Sequence, residues 1–216
     1  MARPTDEVAL ANIACDHLGE AALIANIDTP TSNIEKIAAR HFAVERRALL
    51  RDTIWNFALT ETLVTRNGGP ILGFADAYTK PTDFIRFVGI NDGDYNYAYK
   101  PVRNRIYRNS ILLDNDGSAS AKLVYVADIE DVNLWDPSFV KAFGFALALA
   151  MAFQVTKDEK IVARVNQQFE SAMAAAVSAD GQENPPIRIE TSPIIEARKG
   201  FVGDSVGYDN SRYNLP

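Results

Sequence analysis

One apolar segment constrains the fold of this chain more than any other feature. Residues 137–155 are almost all apolar or alanine, and they follow Asp136-Pro137, a helix cap and a first-turn proline. A helix that is apolar on every face is buried among neighbours. Other elements of the chain must therefore surround this helix.

We do not expect this segment to cross a membrane. Its best apolar run, residues 143–153, is shorter than the roughly 18 to 20 residues that a spanning helix needs. Arg3, Asp6 and Glu7 stand where a signal peptide would be basic and then apolar. We therefore expect the chain, which is 47% hydrophobic over 216 residues, to fold in the cytoplasm around a core of its own.

Three more helices are predicted from capping residues followed by apolar side chains at helical spacing. They run from Thr5 as cap to Gly19, from Thr31 or Ser32 as cap to about Trp55, and from Thr156 as cap to about Ala179. Residues 59–127 instead hold short β-branched and aromatic runs between turn signals, which predicts strands. The clearest predicted hairpin joins residues 106–113 to residues 119–127 through a turn at 114–117, where Gly117 takes a positive φ.

The predicted fold class is α+β, a four-helix bundle with an inserted antiparallel β region and an extended C-terminal arm. Residues 1–58 and 136–180 form the bundle, residues 59–135 the β region and residues 181–216 the arm. The arm combines chain breakers with apolar residues that disordered tails usually lack. We predict that it binds another subunit, although a tail wrapped around its own domain stays open. Its candidate partner-binding residues are Ile187, Ile189, Ile194, Ile195, Phe201, Tyr208 and Tyr213.

A second candidate contact is basic. Arg103, Arg105 and Arg108 cluster in the β region with Lys100, interleaved with tyrosines at 97, 99 and 107. This spacing fits a nucleic-acid face, but we favour a solvated strand or a salt-bridged subunit contact. The formal net charge of −6 argues against a protein that grips nucleic acid and suits a conduit along which DNA slides.

Catalytic and metal-binding motifs are not found in the sequence. His17 and His41 lack partners at metal-ligand spacing, and there is no nucleophile elbow, phosphate loop or dinucleotide-binding glycine motif. Acidic turns at 92–94 and 114–117 lack the glutamate that closes a calcium loop. Cys15 is the only cysteine, so no intrachain disulfide forms. We predict no cofactor, no metal and no enzyme, with a hydrolase using paired carboxylates as an alternative.

Several motifs, taken in order, resemble the tail tubular protein A family, within the head-to-tail adaptors of short-tailed bacteriophages. The resemblance covers roughly residues 8–180 and rests on order and spacing, because each motif alone is common. The motifs are Ala11-Asn12-Ile13-Ala14, Leu18-Gly19-Glu20, Ala39-Arg40, Arg46, Leu49-Leu50-Arg51, Trp55-Asn56-Phe57-Ala58, Tyr78, Pro81, Asp83-Phe84, Arg86-Phe87, Leu123-Val124-Tyr125-Val126-Ala127, Asp131, Leu134-Trp135-Asp136-Pro137 and Phe139.

The resemblance implies a structural virion protein located at the head-tail junction after assembly in the host cytoplasm. Its implied partners are further copies of itself in a ring, expected to be a dodecamer, the portal protein above and a nozzle similar to tail tubular protein B below. Genomic DNA would pass through the ring during ejection without sequence-specific binding.

Overall fold

The structure is a computed structural model that describes residues 6–21, 23–91, 102–115 and 117–183. Within these residues two helices precede six strands and two helices follow them, which confirms the predicted helix order. The helices are α1 (Glu7–Leu18), α2 (Asn33–Asp52), α3 (Pro137–Thr156) and α4 (Glu159–Glu183).

Two of the predicted helix caps are confirmed. Ser32 caps α2 in a reciprocal box, in which its side chain accepts from the Glu35 backbone and the Glu35 carboxylate accepts from the Ser32 backbone. Asp136 caps α3 by accepting a hydrogen bond from the backbone of Ser138. Gly19 ends α1 in the left-handed region, with a φ of 76°.

Two other predicted caps are wrong by one or two residues. Asp6, and not Thr5, caps α1 through a hydrogen bond of 2.7 Å from the Ala9 backbone. Thr156 belongs to the last turn of α3, and the Asp158 carboxylate instead accepts from the first turn of α4. In both cases a carboxylate beside the predicted threonine takes the capping position.

The strands form one antiparallel sheet that curls into a half-barrel. They are β1 (Leu59–Gly68), β2 (Asp76–Thr79), β3 (Phe84–Ile90), β4 (Asn104–Tyr107), β5 (Ser110–Leu113) and β6 (Ser120–Ala127). The spatial order is β3-β6-β1-β2-β5-β4, so β3 and β4 are the edge strands of the described sheet. The loop at 69–75 follows the end of β1, and the loop at 114–119 follows the end of β5.

Two tryptophans organise the helical core around one phenylalanine. Trp55 and Trp135 are fully buried, and their rings meet the Phe139 ring edge to face at 5.0 and 5.1 Å. Each indole N–H donates to a backbone carbonyl, that of Leu49 for Trp55 and that of Ile129 for Trp135. The two tryptophans thus join α2, the segment before α3, and α3 itself.

The predicted four-helix bundle is wrong. α1, α2 and α4 each pack on α3, which supplies one apolar centre to the other three helices. The six-stranded half-barrel has a core of its own, with Tyr78, Ile111 and Leu123 fully buried inside it. The β region is therefore a second layer with its own interior and not a small insertion at the end of a bundle.

The predicted hairpin between residues 106–113 and 119–127 is also wrong. The chain reverses inside the first of these runs, at Arg108-Asn109, where Arg108 has a φ of 54°. β5 then pairs with β4 and β2, while β6 pairs with β1 and β3. An arginine at a left-handed position gives no turn signal in sequence, because glycine and asparagine are the usual residues there.

α3 is the one helix among the described residues that is long and apolar enough to cross a membrane. Its most apolar window has a mean hydropathy of 1.6, and 61% of that window is buried. The helix is buried from Phe139 to Ala152 almost without interruption, and Phe153 at its end is exposed. The burial predicted for this segment is confirmed, and it is the burial of a core helix.

Candidate functional site

The candidate arm residues lie outside the described residues. Ile187, Ile189, Ile194, Ile195, Phe201, Tyr208 and Tyr213 all follow the last described residue, Glu183. α4 continues to Glu183, so the boundary predicted at residue 181 falls inside this helix. Partner binding by the arm stays a prediction.

The three candidate arginines lie on the β4–β5 hairpin, but they do not form one free basic face. Arg103, just before β4, pairs with Asp114 at 3.2 Å, lies over the Phe74 ring at 4.2 Å and donates to the Gly73 carbonyl. Its guanidinium therefore holds two neighbouring loops together. This is a structural role within the subunit.

The other two arginines are exposed. Arg108 lies over the Tyr107 ring at 5.1 Å and forms the turn between β4 and β5. Arg105 sits on the edge strand opposite Leu112 and has no charged partner among the described residues. Tyr97, Tyr99 and Lys100 lie outside the described residues, so the predicted alternation of aromatic and basic side chains is not tested. Arg105 and Arg108 are available for a partner.

A third surface is the tip of the loop near residues 67–73, which the resemblance to the adaptor family implies would meet the tail nozzle. Ile71 and Phe74 exchange both backbone hydrogen bonds, each 3.0 Å long, and thereby close a two-residue turn at Leu72-Gly73. Leu72 has a φ of 51° and Gly73 a φ of 79°, and the Leu72 side chain is 56% exposed. The sequence signal is a glycine between apolar residues, whereas the stronger Asn67-Gly68 signal falls within β1, at an irregularity of its pairing with β2.

An ionic cluster around the buried Arg46 joins the helices to the end of the sheet, and its acids range from the nearly buried Asp128 to the exposed Glu130. Arg46 of α2 contacts Asp128 at 2.9 Å, Glu130 at 3.0 Å and Glu7 at 3.6 Å, and its side chain is only 6% exposed. Burial raises the pKa of Glu7, and the charge of Arg46 partly offsets this rise. All three partners of Arg46 come from outside α2.

The surface beside this cluster carries carboxylates that already bind other side chains of the subunit. Asp128 also pairs with exposed Arg47 at 3.4 Å, and Asp83 accepts a hydrogen bond from the Tyr125 hydroxyl at 3.0 Å. Burial and this hydrogen bond raise the pKa of Tyr125 to about 12. Asp83 and Asp128 are joined through their backbones at 2.7 Å. Each carboxylate thus has a structural partner in the fold.

The acidic turn at 114–117 is held by hydrogen bonds within the subunit. Buried Asp76 accepts from the backbone of Asn115 and of Gly117, and it lies 2.7 Å from Arg66 Nε. Asp114 is paired with Arg103 and accepts from the Ala75 backbone. Among the described residues no group of three or more histidine, cysteine, aspartate or glutamate side chains is placed to hold a metal ion. The turn at 92–94 lies outside them.

The two histidines lie along α3. His17 stacks on the Phe145 ring at 3.9 Å, and burial lowers its pKa. His41 lies 3.5 Å from the amide of Gln154. Both side chains thus lie against residues of α3.

A groove lies between the end of α2 and the face of α4. Its floor is apolar, formed by Phe169, Met173 and Val177, and Val177 is 39% exposed. Asp52 and Glu170 stand at its rim, and neither carboxylate has a cationic partner in the described part of the chain. The groove is an apolar surface with an acidic border.

No known protein family matches the sequence of this chain, and no curated protein matches it.

Proposed function

We propose that this chain is a structural subunit of a tailed-phage virion, a head-to-tail adaptor. In this role, copies of the chain form a ring under the portal protein, continue the DNA channel and dock the tail nozzle. The ring is expected to be a dodecamer. The subunit would act by association alone, with no cofactor and no turnover.

One observation carries the proposal, the order of the motifs along residues 8–180. Two of these motifs, Trp55-Asn56-Phe57-Ala58 and Trp135-Asp136-Pro137, meet in the fold, where Trp55 and Trp135 pack on Phe139. Residues far apart in sequence thus serve one junction between α2, the sheet and α3. A framework common to the adaptor family would need its motifs to keep the order and spacing that bring these side chains together.

The surface also fits a subunit with several protein contacts. Large apolar side chains are exposed at separate places, among them Leu63, Leu72, Leu134 and Phe153. Arg105 is exposed on the edge strand β4 and Arg108 on the turn that follows it, in a chain whose net charge is −6. Apolar anchors with flanking charges give a contact both affinity and a fixed orientation.

Electron microscopy of mixtures tests the proposal directly. The protein is mixed with the portal protein encoded in the same genome, and the particles are compared with portal alone in negative stain. We expect the portal rings to lengthen along their axis. Two species that remain separate at every ratio would refute the proposal.

Duplex DNA provides the second measurement. A conduit with a net charge of −6 should retain little DNA in a filter or mobility assay at physiological salt. Tight binding that weakens steeply with salt would instead favour a nucleic-acid-binding module.

A further inference from the structure

The edge strand β4 has backbone groups at which a further strand can pair. A two-residue turn, Arg108-Asn109, joins β4 to β5. The pair that flanks such a turn is hydrogen-bonded, and bonding then alternates along the strands. Tyr107 and Arg105 therefore bond to β5. The backbone groups of Ile106 and Asn104 point outward, where the described residues supply them with no backbone partner.

The opposite edge of the sheet is less suited to pairing. β3 meets β6 with two irregularities in seven residues, one before Arg86 and one before Gly89. Bulges of this kind bend a strand and protect an edge against further pairing. The pairing of β4 with β5 shows no such irregularity. β4 is therefore the regular edge of the described sheet.

The two faces of β4 ask for different side chains on an added strand. Ile106 lies opposite Ile111, which is fully buried inside the half-barrel, but Ile106 itself is 44% exposed. Arg105 lies on the other face, opposite Leu112, and has no charged partner among the described residues. Cross-strand apolar pairs and opposite-charge pairs stabilise a sheet. An added strand would fit best with an apolar residue beside Ile106 and an acid beside Arg105.

One segment of this chain has that pattern. Residues 187–191, Ile-Arg-Ile-Glu-Thr, alternate apolar with polar or charged side chains, which is typical of a strand. Pro186 and Pro193 stand on either side, so every backbone donor from 187 to 192 is present. The segment lies outside the described residues and begins shortly after α4 ends at Glu183.

Charge selects one register of this segment on β4. With antiparallel strands, as throughout the described sheet, and Ile189 opposite Ile106, an apolar, an ionic and a polar pair form. They are Ile189–Ile106, Glu190–Arg105 and Thr191–Asn104. A shift of the segment by two residues instead sets Arg188 opposite Arg105, and like charges in opposite positions are destabilising.

We infer that residues 187–191 of one subunit add as a further strand to β4 of a second copy of this chain. The inference rests on the proposed function and names one contact of the ring. The strand and the edge are different surfaces, so the contact is heterologous and can repeat from subunit to subunit until a ring closes. Main-chain hydrogen bonds give such a contact its affinity, and the side-chain pairs fix its register.

Disulfide trapping between two variants tests this contact. Asn104→Cys and Thr191→Cys replace a directly opposite pair, which is close enough for a disulfide, and leave the isoleucine pair and the ion pair intact. The two proteins are mixed under mild oxidation, both free and bound to portal rings, and covalent dimers are measured on a non-reducing gel. We expect a dimer in the mixture and much less from either protein alone. Burial raises the pKa of the native Cys15 to about 11, which keeps that thiol out of the reaction.

Ser192→Cys is the matched control for Thr191→Cys, because its side chain would point to the other face of the added strand. Mixed with Asn104→Cys, it should give only background dimer. Equal yields from the two mixtures, or no dimer either in solution or on portal rings, would overturn the inference. A disulfide that closes within one chain carrying both Asn104→Cys and Thr191→Cys would also overturn it, because the strand would then come from the same subunit.

Charge reversal tests what selects the register. Arg105→Glu in the Asn104→Cys protein should lower the yield of dimer several-fold, and Glu190→Arg in the Thr191→Cys protein should restore it. Arg108→Glu, on the exposed turn beside β4, is the control and should not lower the yield. No loss with Arg105→Glu, or a loss that Glu190→Arg does not restore, would refute the register.

The outcomes for this contact and for the adaptor role can be told apart. Portal rings that lengthen while trapping fails would sink the strand contact and leave the adaptor proposal standing. Trapping in the predicted register without any lengthening of portal rings would support the contact and count against the adaptor.

Discussion

Two adjacent arginines on α2 have different energetic roles. Arg46 is 6% exposed and faces Glu7, Asp128 and Glu130, whereas Arg47 is 58% exposed and meets Asp128 alone. Removing Arg46 takes the closer of two guanidiniums from Asp128, whose side chain is only 12% exposed. Pairs at the surface are screened by water and salt.

We therefore predict that Arg46→Met lowers the free energy of unfolding by about 1–3 kcal/mol, because the nearly buried Asp128 loses its closer guanidinium. Arg47→Met should cost less than about 1 kcal/mol. Urea unfolding followed by circular dichroism measures both values. Equal losses for the two variants would show that the burial of Arg46 does not strengthen its ion pairs.

Glu35 should make stability depend on acid. Its carboxylate accepts hydrogen bonds from the backbones of Ala25, Thr31 and Ser32 and from the Thr31 hydroxyl. These hydrogen bonds, those from the backbone first, hold the pKa of Glu35 well below its usual range. A lowered pKa contributes stability above the pKa of the unfolded chain, and this stability is lost as the pH falls towards the folded value.

Glu35→Gln should accordingly lower the melting temperature at pH 7. The difference from the wild-type protein should shrink as the pH falls below about 4.3, the ordinary glutamate value. Glu170→Gln is the control, because Glu170 is exposed and accepts one hydrogen bond, from Asn166. A difference that stays constant down to pH 3 would contradict the role given to Glu35.

Single residues were predicted from sequence where the physics is local. The Ser32 and Asp136 caps follow from residue type and position alone, and both are confirmed. The partners of Arg46 could not be found this way, because Glu7 and Asp128 come from distant segments. The left-handed conformation of Leu72 was not predicted, since it contradicts the preference of a leucine.

At the scale of elements, the closeness of α1 and α3 depends on one glycine. A Cβ at Gly144 would lie 3.3 Å from Ile13 Cγ2 and 3.7 Å from His17 Nε2. Valine adds two methyl groups beyond that Cβ, which α1 can accommodate only by moving away. Overpacking of this kind typically costs 1–3 kcal/mol.

We expect Gly144→Val to lower the free energy of unfolding by about 1–3 kcal/mol. Ala175→Val, on the exposed side of α4, should cost only about half a kcal/mol through helix propensity. Chemical denaturation of both variants measures the two losses of unfolding free energy. Similar losses would mean that α1 adjusts freely and that Gly144 sets no helix separation.

Strand pairing was the element-level property that sequence could not supply. The sequence predicted strands at residues 106–113 and 119–127, which contain β5 and β6. It paired them with each other because a turn signal lies between them. In the fold Asp76 holds that turn, and β1 and β2 lie between β5 and β6. Pairing across a curled sheet is set by long-range contacts that leave no local pattern.

For the whole molecule, the helices were counted correctly and assembled wrongly. Four helices favour a bundle if each contributes an apolar stripe of similar size to a common core. α3 instead carries most of the apolar surface, so α1, α2 and α4 pack on it, and the sheet builds its own interior. The sequence already shows that one helix carries most of the apolar residues. This unequal distribution predicts the architecture better than the number of helices does.

The last prediction separates folding from assembly. If residues beyond α4 serve a partner, a chain that stops after Glu183 should keep the melting temperature and the helical circular dichroism of the full chain. The same truncation should abolish lengthening of portal rings. A full-length variant with Ile194, Ile195 and Phe201 changed to serine keeps the chain length and so tests the apolar side chains alone. It should also fail to lengthen the portal rings. Loss of folding on truncation would place those residues in the subunit core, and normal ring lengthening by both variants would exclude them from the portal contact.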